Sequence, residues 1–336
     1  MIVILFFILI AVMRVVQNVC NKRVSNEVKD TRTFFLYGVY YQALAAVFSL
    51  LALCFTGFDG LTLSTVACGF VTAAFLMLNF YASLNAIKGC KLIVASMFGY
   101  GGMLVCCILS WIMFGEEMSA LQGVGLILFF LAAYMISSQK KETAENEARP
   151  ITKKVWLLLL VVMFSEGFVE VSQKYFSLRV TGGSVAWFSF FMFLSSTAFM
   201  GFGFVFNLAK AGKRKATERR ILPQAQVHTQ AIPNDETEGV TGRKLRLNKL
   251  LLISGALLAL AVFVINTLVA EMGKKVDSVI MFPVMALISI CITVFVGRIV
   301  YKEKLTKINV VGVILGLIAV IVLSVFTPET LSEIFS

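Results

Sequence analysis

Val124-Gly125-Leu126-Ile127-Leu128 is written a second time, as Val311-Gly312-Val313-Ile314-Leu315, 187 positions further along the chain. The register extends without a gap from Met77–Ser138 onto Val264–Val325, so that Asn79 falls on Asn266 and Glu116 on Glu303. Both copies are almost wholly apolar, and what has been duplicated is a block of membrane-spanning helices. Carriers are the class of protein most often built this way.

The rest of the composition agrees with a bilayer as solvent. Hydrophobic residues make up 59% of the 336 positions and charged residues 15%, with a mean hydropathy of +0.88, which no single soluble core of this size could hide. In hydrocarbon every backbone N–H and C=O needs an internal partner, so long unbroken apolar runs become helices. The alternation of period two that marks a barrel is absent.

Runs long enough to span are read at Ile2–Asn21, Phe34–Phe55, Ser64–Ile87, Leu92–Phe114, Ala120–Ser138, Val155–Phe176, Ser184–Leu208, Leu250–Ala270, Ser278–Val300 and Ile308–Phe326. The first helix recurs in the sixth at an offset of 152, with Arg14 matching Glu166, Asn18 matching Glu170, Asn21 matching Gln173 and Lys22 matching Lys174. The repeating unit is therefore five helices. An odd number of spans turns the second copy upside down. The fold class expected is an all-α integral membrane protein of ten transmembrane helices in two inverted five-helix repeats, 1–140 and 153–327. A basic loop, 210–249, interrupts the second. It carries Pro223 and Pro233 and is too polar for a core of its own.

Assigning Lys and Arg to alternate sides puts 25 of the 30 on one face, four on the other and Arg14 inside a span. The basic face is expected to be cytoplasmic, with both termini outside and the chain in the plasma (inner) membrane. The net charge of +11 is thus a topology signal, and nothing else in the chain speaks for nucleic acid. The clusters Lys213-Arg214-Lys215 and Arg219-Arg220 are either part of that signal or a contact for anionic lipid headgroups. The N-terminus lacks a positive n-region and a cleavage motif, which argues against a removable signal peptide. The seven cysteines have no metal-type spacing and read as reduced packing residues. The single histidine, His228, lies in the polar loop, so a multi-histidine metal site is excluded. No cofactor is called for.

The segment Phe114-Gly115-Glu116-Glu117-Met118-Ser119-Ala120-Leu121-Gln122-Gly123-Val124-Gly125, with its counterpart Tyr301-Lys302-Glu303-Lys304-Leu305-Thr306 and the following Gly312, resembles the EamA-type motif of the drug/metabolite transporter superfamily. There an acidic residue, an apolar residue and a Ser or Thr precede the last helix of each five-helix half. The resemblance implies an inverted-repeat carrier, with the first, third, fourth, sixth, eighth and ninth helices around a central cavity. It names no substrate. The chain departs from the pattern in its termini, which many members keep in the cytoplasm. Part of the motif has a physical reason. Ser119 with Gln122 is a capping-box pair and Thr306 with Asn309 a weaker one, while Glu116 and Glu303 favour a helix N-terminus electrostatically.

Charges in mid-membrane are the strongest pointer to a site, since each costs about 2.5 to 3.5 kcal/mol unless paired or hydrated. Arg14, Asn18 and Asn21 follow the spacing i, i+4, i+7 on one face of the first helix, and Glu166, Glu170 and Gln173 do so on the sixth. The pseudo-two-fold axis sets Arg14 and Glu166 on opposite walls, where they form either a permanent salt bridge or the lining of a wet cavity. Asn79 and Asn266 are either inter-helix clamps or cavity ligands. Gly99-Tyr100-Gly101-Gly102 and Pro283 read as flex points or as close packing. Tyr37, Tyr41 and Gln42 read as packing. The expected substrate-binding or coupling residues are Arg14, Asn18, Asn79, Tyr100, Glu166, Glu170 and Asn266.

The resulting expectation is a secondary transporter for a small polar or zwitterionic, amino-acid-like metabolite, working by alternating access. A carboxylate exchanging a proton for substrate is one form of coupling, by resemblance to the small multidrug resistance proteins. The alternatives are a cationic drug exporter and a non-transporting membrane scaffold. An intramembrane enzyme is disfavoured, because the chain has no HExxH, no GxSxG and no mid-span Asp pair. The partners expected are a small-molecule substrate and membrane lipid.

Overall fold

The computed structural model describes residues 2–28, 30–115, 119–137, 152–221, 248–276, 278–302 and 306–325. They form ten helices: α1 (Ile2–Glu27), α2 (Thr31–Thr56), α3 (Leu63–Lys88), α4 (Leu92–Phe114), α5 (Ala120–Ser137), α6 (Lys153–Arg179), α7 (Val185–Ile221), α8 (Lys249–Met272), α9 (Ser278–Ile299) and α10 (Lys307–Val325). Eight are long and apolar enough to cross a bilayer, and α5 and α10 are the shorter apolar pair. At 18 residues, α5 rises about 27 Å, close to the hydrocarbon thickness.

The packing obeys the repeat. Three helices lie against their own mates: α2 on α7, α4 on α9 and α5 on α10. The remaining major contacts come in exchanged pairs, with α3 on α6 answered by α8 on α1, α4 on α6 by α9 on α1, and α3 on α7 by α8 on α2. Exchanging the halves maps this set of neighbours onto itself, as a two-fold axis requires.

Short polar side chains fix where the helices start. The Asp30 carboxylate accepts from the Thr33 amide at 3.0 Å, and the hydroxyls of Thr62 and Thr152 accept from the amides of Thr65 and Val155 at 3.1 and 3.4 Å; each satisfies one donor that the first turn leaves open. Both expected capping boxes are closed. Ser119 accepts from the Gln122 amide at 3.2 Å while Gln122 Oε1 accepts from the Ser119 amide at 2.8 Å. Thr306 and Asn309 make the same two bonds at 3.2 and 3.1 Å, so the second box is as complete as the first. Glu116 and Glu303, and His228 in the basic insertion, lie outside the described residues.

Two apolar clusters fill the bundle. One centres on Met103, Phe282 and Met285 between α4 and α9. The other holds Tyr37, Tyr41, Phe80 and the stacked rings of Phe176 and Phe188, whose centroids are 4.4 Å apart. Tyr37, Tyr41 and Gln42 are buried there, as packing residues should be.

Three expectations need adjusting. The first helix continues six residues past Asn21 to Glu27. The seventh runs not to Leu208 but to Ile221, so the first part of the basic insertion is helical; its Lys, Arg and Ala are good helix formers. Cys54 and Cys291 are exposed, so these two of the seven free cysteines are not packing residues.

Candidate functional site

Arg14 of the α1 stripe meets the two carboxylates of the α6 stripe. Arg14 Nη1 donates to Glu166 Oε1 at 2.5 Å, and Nη2 donates to Glu170 Oε1. Glu166 and Glu170 are one turn apart on α6, so the planar guanidinium spans both with its two ends. All three side chains are buried. Glu170 Oε2 and Arg14 Nε make no further hydrogen bond among the described residues.

Arg14 and Glu166 stand at the head of a polar cleft of about 410 Å³, counting its open mouth. Its walls are Gln17, Asn18 and Asn21 of α1, Asn79, Ser83 and Ile87 of α3, Ala95, Ser96, Gly99 and Tyr100 of α4, and Val162 of α6. These residues sit where α1 and α3 end and where α4 and α6 begin, which is the side of the basic loops. The cleft therefore runs from the ion cluster toward the basic face.

Tyr100 closes one wall. Its hydroxyl accepts from Asn18 Nδ2 at 3.0 Å and lies 2.6 Å from Thr293 Oγ1 of α9. Asn79 Nδ2 donates to the Val162 carbonyl and to Ser165 Oγ, both at 3.2 Å, and so ties α3 to α6. The α4–α6 wall is a glycine crossing: a Cβ on Gly167 would come within 2.9 Å of the Gly102 carbonyl oxygen and 2.8 Å of the Val105 side chain. That is the close-packing role for Gly102, whereas a Cβ on Gly99 would meet nothing within 4 Å. Pro283 lies inside α9, which continues through it.

Beyond the ion cluster, away from the basic face, α6 is locked to α8 and to the segment that follows it. Gln173 Nε2 donates to Asn266 Oδ1, Ser177 Oγ donates to the Ala270 carbonyl at 2.5 Å, and Lys174 Nζ donates to the Val276 carbonyl at 3.2 Å.

Of the seven residues singled out from sequence, Arg14, Asn18, Asn79, Tyr100 and Glu166 line the cleft. Glu170 belongs to the ion cluster but not to the lining, and Asn266 belongs to the locked side. Arg14, set opposite Glu166 by the repeat, takes Glu170 as well. Sequence reasoning missed Gln17, Ser83, Ser96 and Thr293. Serine and threonine in spans give little signal, because they can satisfy themselves on the carbonyl one turn back.

No protein-family model matches the chain, and no curated protein matches it. A solved crystal structure does, with a TM-score of 0.57 over 94% of this chain and 94% of that chain, at 11% sequence identity. A likeness at that identity is one of fold. The chain is a multi-pass, ten-helix membrane protein whose path has a counterpart among solved structures.

Proposed function

We propose that the protein is a secondary transporter of the EamA type in the drug/metabolite transporter superfamily, moving a small polar or zwitterionic metabolite by rocking its two halves about the ion cluster. The observation that carries the reading is the buried Arg14–Glu166–Glu170 cluster at the head of a polar cleft open toward one face. Intramembrane charge of this kind, set beside a polar-lined cleft and not sealed in apolar packing, marks a pathway.

The cluster holds two carboxyl groups and one guanidinium. With both carboxylates ionised it carries an uncompensated negative charge in hydrocarbon, so neutrality calls for one proton or for a cationic group on the substrate. Proton and substrate amine competing for that one vacancy is the simplest coupling scheme. The neighbouring amides and hydroxyls of Gln17, Asn18, Asn21, Ser83 and Ser96 suit the polar remainder of an amino-acid-like molecule. They suit an aromatic cationic drug less well, since Tyr100 is the one aromatic residue among the lining. The basic face is cytoplasmic in this reading, both termini are outside, and the chemistry is non-covalent.

The test is transport in reconstituted vesicles, with substrates first selected by thermal-shift screening of the purified protein against a metabolite library. Glu166→Gln and Glu170→Gln should each abolish pH-gradient-driven accumulation while insertion and yield stay normal. Unchanged accumulation by both variants would remove the carboxylates from the mechanism, and absence of accumulation by the wild-type protein would favour a membrane scaffold.

A further inference from the structure

The hydrogen bonds that lock α6 to α8 have mates in the other half that are not made. Under the offsets of 152 and 187, Gln173 corresponds to Asn21, Ser177 to Ser25, Asn266 to Asn79 and Ala270 to Ser83. Gln173 bonds Asn266, and Ser177 bonds the Ala270 carbonyl. On the basic side Asn79 turns to Val162 and Ser165 of α6, and Ser25 bonds the Lys22 carbonyl of its own helix at 2.8 Å. Asn21 is 4% exposed, and its amide oxygen has no partner among the described residues. Asn21, Asn79 and Ser83 all line the cleft.

Not every tie at the basic end is absent: Lys88 Nζ donates to the Val28 carbonyl at 2.7 Å, so the ends of α3 and α1 stay joined beyond the amides. The matched lysines are tied alike in both halves, Lys22 to the Cys90 carbonyl at 3.0 Å and Lys174 to the Val276 carbonyl at 3.2 Å. The two ends of the bundle thus share the lysine ties, and among the matched amides only the far pair is closed.

We infer that Asn21 and Asn79 are the second arm of a two-position latch: they bond each other and shut the cleft toward the basic face when the Gln173–Asn266 bond opens. The inference rests on the alternating-access reading above. A buried amide oxygen without a donor is unfavourable, and closure supplies it with Asn79 Nδ2. Asn79 Nδ2 leaves Val162 or Ser165 of α6 to make that bond, and the amide oxygen it satisfies offsets the loss, so the two states stay close in free energy, as reversible switching requires.

The latch is tested by hydrogen–deuterium exchange on the full-length protein in lipid nanodiscs. The reading is the exchange rate at the basic-side ends of α1 and α3 relative to that at the far ends of α6 and α8. Asn21→Gln gives the basic side the same Gln–Asn pair as the far side, so exchange should fall at the basic ends and rise at the far ends. Gln173→Ala should move both in the same sense. Asn21→Ala should move them the opposite way, and the double variant should return toward wild type. One hydrogen bond between membrane helices corresponds to a change of about threefold in the ratio. Asn21→Gln keeps the amide and adds one methylene, the same side chain that Gln173 carries at the matched position, so its result decides even if a truncation folds poorly. If Gln173→Ala displaces the two ends reciprocally but Asn21→Gln and Asn21→Ala leave the ratio unchanged or shift it in one common direction, the latch is wrong and alternating access stands. If no variant moves the two ends reciprocally, alternating access fails and the latch with it.

Discussion

Gly102 of α4 lies directly against Glu166 of α6: a Cβ on the glycine would stand 2.6 Å from the Glu166 Cβ and 2.7 Å from the Met163 carbonyl oxygen. The absent side chain is what lets the α6 backbone carry its carboxylate up to Arg14.

Gly102→Ala should therefore overpack the α4–α6 crossing and cost about 1 to 3 kcal/mol, lowering the melting temperature in detergent and loosening the ion cluster. Gly99→Ala is the control. With open space at its Cβ, it should melt at or slightly above the wild-type temperature, because Ala is the better helix former by about 1 kcal/mol.

Arg14→Met leaves two buried carboxyl groups without their cation, and breaking a buried pair on one side costs about 3 to 5 kcal/mol. Adding Glu166→Gln and Glu170→Gln to the same chain should recover most of that loss, because no buried charge is then stranded. Melting curves of the single and triple variants in detergent check this; a single variant as stable as wild type would mean that the cluster is not a pairing.

Ser119→Ala and Thr306→Ala remove equivalent caps in the two halves. Each should lower stability by about 1 kcal/mol, whereas Gly at either position should cost only a few tenths. Unequal effects in chemical denaturation would show that the two boxes are not energetic equivalents despite their matched bonds.

Tyr100→Phe deletes the hydroxyl shared by Asn18 and Thr293 and should cost about 0.5 to 1.5 kcal/mol. Combined with Thr293→Val, the loss should be less than additive, since both substitutions break the same bond. A double-mutant cycle on melting temperatures measures this.

The repeat, the ten helices and both capping boxes are legible in the sequence because each is written in local pattern and spacing. The ion cluster is legible because charges stand out against apolar spans. Which carboxylate Arg14 takes is not, since residues one turn apart share a face and a fork-shaped side chain reaches both. The position of Asn266 away from the cleft is hidden for a different reason: repeat mates are equivalent in sequence but need not share surroundings, and here Asn79 lines the cleft while Asn266 bonds Gln173 at the far end. The reach of α7 was open to reading. Its Lys, Arg and Ala beyond Leu208 favour helix, and polarity ends an apolar span without ending a helix.

The length of α7 has a practical consequence. Of its 37 residues, those up to Lys210 form the apolar span, and the turns that follow rise about 16 Å more at 1.5 Å per residue. The helix is thus a rod packed against α2 that continues past its apolar span. A compact protein spliced in helical register after Ile221 would inherit the tilt of that rod, giving electron microscopy a rigid fiducial and spectroscopy a lever that magnifies small rotations between the two halves.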